Sequence, residues 1–270
     1  MLGKLKIAGF ALVAVSALAV AGGGVASAGD APHIQHLNWS FDGPFGTYNK
    51  AQLQRGFQVY KEVCSACHSL NRVAFRDLGD LGFTKAQVKA IAAGYQITDG
   101  PNEQGNMFQR PGQPSDHFPP PFPNEEAARV ANGGALPPDQ SLLAKSLPGG
   151  PDYIYAILTG FTNPPPGFEL TPGKFYNRVF PGHQIGMPPP LSDGAVTYAD
   201  GTPATVDNMA RDVSAFLMWA AEPKMEQRKE MGFRVLVFMG ILSVLLYFTK
   251  KKVWADVYKD KPGDEKSDQA

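Results

Sequence analysis

Residues Cys64, Ser65, Ala66, Cys67 and His68 form the run that most restricts what this chain can become. Two thiols three positions apart, followed at once by an imidazole, suit one group above others. That group is a haem whose two vinyls add to sulfur while its iron takes the imidazole nitrogen. A chain that holds haem c in this way must wrap loops and short helices around a flat apolar disc. The competing readings need other residues. A structural zinc site needs four ligands, usually with more cysteine, and the chain has only 2 Cys. A thioredoxin-like pair makes no use of the histidine.

The ends of the chain point to a membrane. Lys4 and Lys6 precede an apolar run over residues 7–21, and Ala26-Ser27-Ala28 offers a cleavage site, so residues 1–28 read as a signal peptide. Residues 231–249 form a second apolar run, closed by Lys250, Lys251 and Lys252. As a helix these 19 residues rise about 28 Å, near the hydrocarbon thickness of a bilayer. The expected division is a signal peptide (1–28), an exported domain (29–230), a transmembrane helix (231–249) and a cytoplasmic tail (250–270). Haem is attached to such motifs outside the cytoplasm in bacteria, which places the exported domain on the periplasmic side of a bacterial inner membrane.

Net charge is zero for the whole chain but not for its parts. Residues 29–230 hold 16 Lys/Arg against 20 Asp/Glu, a net of −4, and residues 99–212 hold 6 against 12, a net of −6. An acidic exported domain gives no footing for nucleic acid and steers a basic soluble partner inward.

Within that domain the pattern is mainly α, with long ordered loops rich in Pro and Gly. Asn49 caps a helix whose apolar positions Leu53, Phe57, Tyr60 and Cys64 lead into the motif. A matching stripe, Val206, Met209, Val213, Phe216, Leu217 and Ala220, stops before Pro223 and reads as core, and Gly56 would let the two helices cross closely. Between them, 11 prolines in residues 101–151 exclude long helices. Short ones still read through: Asn124 caps residues 125–131, Pro138-Asp139 opens residues 140–147, and Pro151-Asp152 opens a helix that stops at Gly160. Residues 195–205, with a turn at Asp200-Gly201, form a possible small hairpin. The tail from Lys259 is polar and reads as disordered.

A second iron ligand decides between electron transfer and chemistry on a substrate. The candidates are Met107, His117, His183, Met187 and, more remotely, His33 and His36. Met187 has the best context, after a glycine that permits close backbone approach and before three prolines that stiffen the loop. A thioether there favours ferrous iron and raises the potential. Arg129, on a short helix before a Gly-rich turn, is the candidate cation for a haem propionate, which its guanidinium can grip with two hydrogen bonds.

Taken together the motif at residues 64–68, the stretches beginning at Ala128, Gly149 and Ile185, and the C-terminal span resemble the cytochrome c1 family over nearly all of the mature chain. The resemblance implies a c-type cytochrome fold with one covalent haem c, thioethers at Cys64 and Cys67, axial ligands His68 and Met187, and Arg129 near a propionate. It implies a redox subunit of quinol–cytochrome c oxidoreductase (the bc1 complex) rather than an enzyme on its own. The implied partners are cytochrome b, a Rieske iron–sulfur protein as donor and a soluble basic c-type cytochrome as acceptor, in a dimeric complex. The alternatives are an anchored cytochrome of a terminal oxidase, a haem peroxidase using His117 or His183 as distal acid–base group, and a haem sensor.

Overall fold

A glycine sets how the central helices meet. Helix α1, Lys50–Glu62, starts where the Asn49 side chain accepts a hydrogen bond from the Gln52 amide at 3.2 Å. Helix α6, Val206–Ala221, starts the same way on Thr205, whose hydroxyl accepts from the Asn208 amide at 3.2 Å. In the computed structural model, which describes residues 34–255, a Cβ on Gly56 would fall 2.0 Å from the Asp212 carbonyl oxygen. The two backbones therefore touch. The expected signal peptide, His33 and the end of the tail lie outside the described residues.

The apolar faces of these helices close over one another. Leu53, Phe57 and Tyr60 are buried with Met209, Val213, Phe216 and Leu217, and the Phe216 ring lies 5.8 Å from Phe57 and 5.7 Å from Tyr60. Each such side chain contributes about 1.5–3 kcal/mol on burial, so the crossing is a main source of stability. Beside it, Arg55 grips Asp212 with two hydrogen bonds, Nε at 2.7 Å and Nη2 at 3.1 Å, and reaches Asp200 at 2.9 Å with Nη1.

Three short helices extend this core. Helix α3, Glu125–Ala131, takes its cap from Asn124 and ends at Asn132 before the left-handed Gly133 and Gly134. Helix α4 spans only Leu143–Ser146, and α5, Gly150–Thr159, carries Pro151 in its first turn and stops at Gly160. Both α4 and α5 pack against α6. The expected helix from Pro138-Asp139 is thus cut to a single late turn. Asp139 is used otherwise: it accepts from Ser69 Oγ at 2.8 Å and from the amides of Asn71 and Ser141 at 2.9 Å each. Those bonds tie residues 138–141 to the segment after the cysteine motif.

On the other side of α1 the chain forms a 3-10 helix, Phe75–Leu81, and helix α2, Lys85–Ala93. A two-stranded ladder follows, β1 (Gln96–Asp99) against β2 (Phe108–Pro111), braced by Arg110 between Asp99 and Asp116. Aromatic rings fill the joint, Phe75 lying 4.4 Å from Phe118. A smaller ladder pairs β3 (Phe175–Tyr176) with β4 (Gln184–Ile185). The expected hairpin in residues 195–205 is absent as a ladder. The turn exists, with Gly201 left-handed and its amide on Tyr198 O at 3.3 Å, but Asp200 is drawn to Arg55.

Helix α7, Met225–Val253, is long and apolar enough to cross a membrane and is uncovered along residues 231–240. It begins two turns before the expected span. Met225 is buried, and Lys229 donates to the carbonyls of Phe41 at 2.6 Å and Gly46 at 3.1 Å. Phe45 meets Phe233 edge to face at 6.1 Å. These contacts fix the start of the span to the globular domain. The segment before α1 is anchored from below by Asp152, which accepts from Leu37 N, Trp39 Nε1 and His36 Nδ1 at 3.1, 2.6 and 2.6 Å.

Candidate functional site

The turn after α1 starts the site. Helix α1 gives way to a 3-10 turn, Cys64–Ala66, in which the amides of Cys67 and His68 both reach the Cys64 carbonyl, at 3.1 and 2.9 Å. This doubles the chain back, so both sulfurs and the imidazole come to one strip of wall. They line a cavity of about 770 Å³, a volume in the range of cofactor pockets. Its remaining wall is mostly apolar and includes Leu143, Ile154, Ile157, Phe180 and Leu217.

His68 is set for ligation by its second nitrogen. Its Nδ1–H donates to the Pro138 carbonyl at 2.8 Å, which fixes the tautomer and leaves Nε2 with its lone pair. Burial lowers its pKa and the Pro138 bond only partly opposes this, so the neutral form that binds metal is favoured. Burial, with a smaller contribution from Cys67, pushes the Cys64 thiol up to about 12. Such a sulfur is not a ready metal thiolate. Among the described residues no group of three or more His, Cys, Asp or Glu could hold a metal ion.

Met187 lines the same cavity. It is delivered by β4 and by Gly186, where a Cβ would lie 2.8 Å from the Ala135 side chain. Any larger residue would push the loop off the wall. None of the other described candidates lines that cavity. Met107 is 60 % exposed, His117 bridges the backbone of Ala74, and His36 is bound to Asp152. His183, in a left-handed conformation, stacks on Tyr176 at 5.6 Å and is hydrogen-bonded to Asn177 O. The distal acid–base groups of the peroxidase reading are therefore outside the cavity.

Arg129 is exposed on α3, outside the cavity lining, with its guanidinium on Gly134 O at 3.4 Å. Two polar features that face the cysteine motif's side of the cavity escaped the sequence reading, apart from Lys174. One is the Pro138 carbonyl that orients His68, which only the tertiary fold brings near. The other is Gln140, buried in the wall with its Oε1 lacking a partner. An orphaned acceptor beside two thiols, an imidazole and a thioether fits a cavity made for a bound group.

A mainly helical fold, an apolar cavity of this size and a thiol–thiol–imidazole wall define a membrane-anchored c-type cytochrome. Comparison with known proteins agrees. The model of the Cytochrome C1 family matches residues 39–257. Cytochrome c1 of Rhodospirillum rubrum is 47% identical over 263 residues, covering 92% of this chain and 97% of that protein. The mitochondrial cytochrome c1 heme protein of Saccharomyces cerevisiae is 48% identical over 226 residues, 83% of this chain and 73% of that one. Cytochrome b/c1 of Bradyrhizobium diazoefficiens is 54% identical over 240 residues, which cover 81% of this chain but 35% of that longer protein. The chain belongs to the cytochrome c1 family, its cofactor is haem c, and one helix anchors it in a membrane.

Proposed function

We propose that the chain is the electron-transfer subunit of a bc1 complex. It receives electrons from a Rieske iron–sulfur protein and passes them to a soluble basic c-type cytochrome on the periplasmic side of a bacterial inner membrane. Cytochrome b lies beside α7, the complex is dimeric, and quinol oxidation falls to the partner subunits. The name of the Bradyrhizobium relative, cytochrome b/c1, supports a cytochrome b partner. The observation that carries the reading is the single cavity lined by both the 64–68 motif and Met187.

In this reading Cys64 and Cys67 would hold the haem through thioether bonds, and His68 Nε2 and the Met187 thioether would be the residues offered to its iron. Bound haem supplies a reversible one-electron couple. The protein's part is to hold it still and dry. The Pro138 carbonyl locks the His68 ring, Gly186 seats Met187, and Ile154, Ile157 and Leu217 exclude water from the cavity. A site whose ligands move little on a change of charge needs little reorganisation for each transfer.

Met187→Leu tests the assignment. The variant should keep covalently attached haem, lose the thioether signature in its absorption spectrum, bind carbon monoxide when reduced and drop in potential. A low-spin, high-potential centre retained in the variant would show that another residue is the ligand. Purification in mild detergent without a cytochrome b would favour the terminal-oxidase alternative.

A further inference from the structure

Lys174 enters the haem cavity by a route that no local pattern announces. It stands directly before β3, and the β3–β4 register pairs Phe175 with Ile185 and Tyr176 with Gln184. Carried one step further, that antiparallel register sets Lys174 opposite Gly186, the residue before Met187. The side chain follows the backbone, since a Cβ on Gly186 would lie 3.4 Å from Lys174 Nζ.

The position is chemically singular. Apart from His68, Lys174 is the one ionisable nitrogen in the cavity lining, and no carboxylate lines it. None of the ion pairs among the described residues uses Lys174. It also lines a second, more open cavity of about 610 Å³, so it stands where the apolar cavity meets a more open one. An ammonium drawn to an apolar wall without a protein anion is unfavourable unless the bound group brings the anion. Haem carries two carboxylates on an otherwise apolar ring. A cation where the apolar cavity opens into a second one suits such a group.

We propose that Lys174 is the counter-ion of a haem propionate and that its charge helps set the reduction potential. The proposal rests on the haem assignment above. It adds a cation in the cavity wall to Arg129, whose guanidinium lies on Gly134 O. A positive charge that offsets a propionate favours the ferrous form, so its removal lowers the potential. Lys174 acts through the propionate and is a positioning residue, not a ligand.

The test is redox titration of the full-length haem protein in detergent, with Lys174→Gln, Lys174→Arg and Arg129→Gln beside the wild type. Lys174→Gln should shift the ferric/ferrous equilibrium about tenfold toward ferric, about 59 mV for one electron. Its thioether-ligation band should be unchanged, and Lys174→Arg should restore the wild-type potential. A Lys174→Gln potential equal to wild type, with the spectrum intact, overturns the proposal and leaves the haem assignment standing. So does a shift confined to Arg129→Gln. If Lys174→Gln loses its haem, a normal potential in Lys174→Arg still supports the charge role, while loss of haem in both shows that the position serves packing. A wild type without thioether-ligated low-spin haem would instead bring down the assignment itself.

Discussion

Gly56 shows how much can turn on one hydrogen. Elsewhere in a helix, Gly→Ala gains about 0.5–1 kcal/mol because the unfolded chain loses freedom. Here the new methyl would meet the Asp212 carbonyl oxygen at 2.0 Å and its carbon at 2.6 Å. Neither atom can rotate away, so α1 and α6 must part and the Phe57, Tyr60 and Phe216 packing opens with them. Overpacking of this kind costs about 1–3 kcal/mol, which outweighs the helix gain. Gly56→Ala should therefore lower the melting temperature by several degrees, at about 2–4 °C per kcal/mol for a domain of this size. Thermal melts followed at the haem and in the far ultraviolet would measure it. A variant as stable as wild type would mean that the helices do not touch there.

At the scale of elements, the segment that carries Pro138 is a strut for His68, and Asp139 holds it. Burial by itself would raise the Asp139 pKa, but bonds from Asn71, Ser141 and Ser69 outweigh burial and leave it below the ordinary carboxylate range. A depressed folded-state value means stability that is present above the unfolded pKa and is lost as pH falls through the folded one. Asp139→Asn should cost about 1–3 kcal/mol at neutral pH and flatten the acid limb of the stability curve relative to wild type. Denaturant titrations across acid pH would show both. Equal acid sensitivity in the two proteins would remove Asp139 from the account. The same residue explains where the sequence could and could not be read. Asn49 and Asn124 act as caps within three residues of themselves, and the Val206–Ala221 helix shows its apolar stripe, so these helices were legible. Pro138-Asp139 carries the same local signature, but beside its local bond from Ser141 it is held by residues 69 and 71, which are distant in the chain. Two-residue strands such as β3 and β4 have no period to read, so Lys174 could not be placed opposite Gly186 without the fold. That the cysteine motif and Met187 would meet in one cavity was legible from the spacing of the motif and the stiffness of the Pro-rich loop.

For the whole molecule, charge and anchor work together. Helix α7 leaves a long apolar surface that only lipid or another chain can cover, while Lys229 and Phe233 bind its first turns to the domain. The haem domain thus stays at the membrane, and in the proposed function a soluble carrier has to find it. Residues 99–212, which supply most of the cavity wall outside the cysteine motif, hold 6 Lys/Arg against 12 Asp/Glu, so the net of −6 is concentrated in that part of the wall's chain. Charges of this kind act over about 30 Å at 0.01 M salt but about 10 Å at 0.1 M. Steering by such a field raises encounter rates about tenfold or more. Electron delivery from the reduced protein to a basic c-type cytochrome should therefore slow about tenfold between low and physiological ionic strength, and an acidic carrier of similar potential should react slowly and gain from salt. Stopped-flow reoxidation with both carriers separates the cases. A basic carrier whose rate ignores salt, or an acidic one that matches it at low salt, would place the docking surface away from this acidic segment.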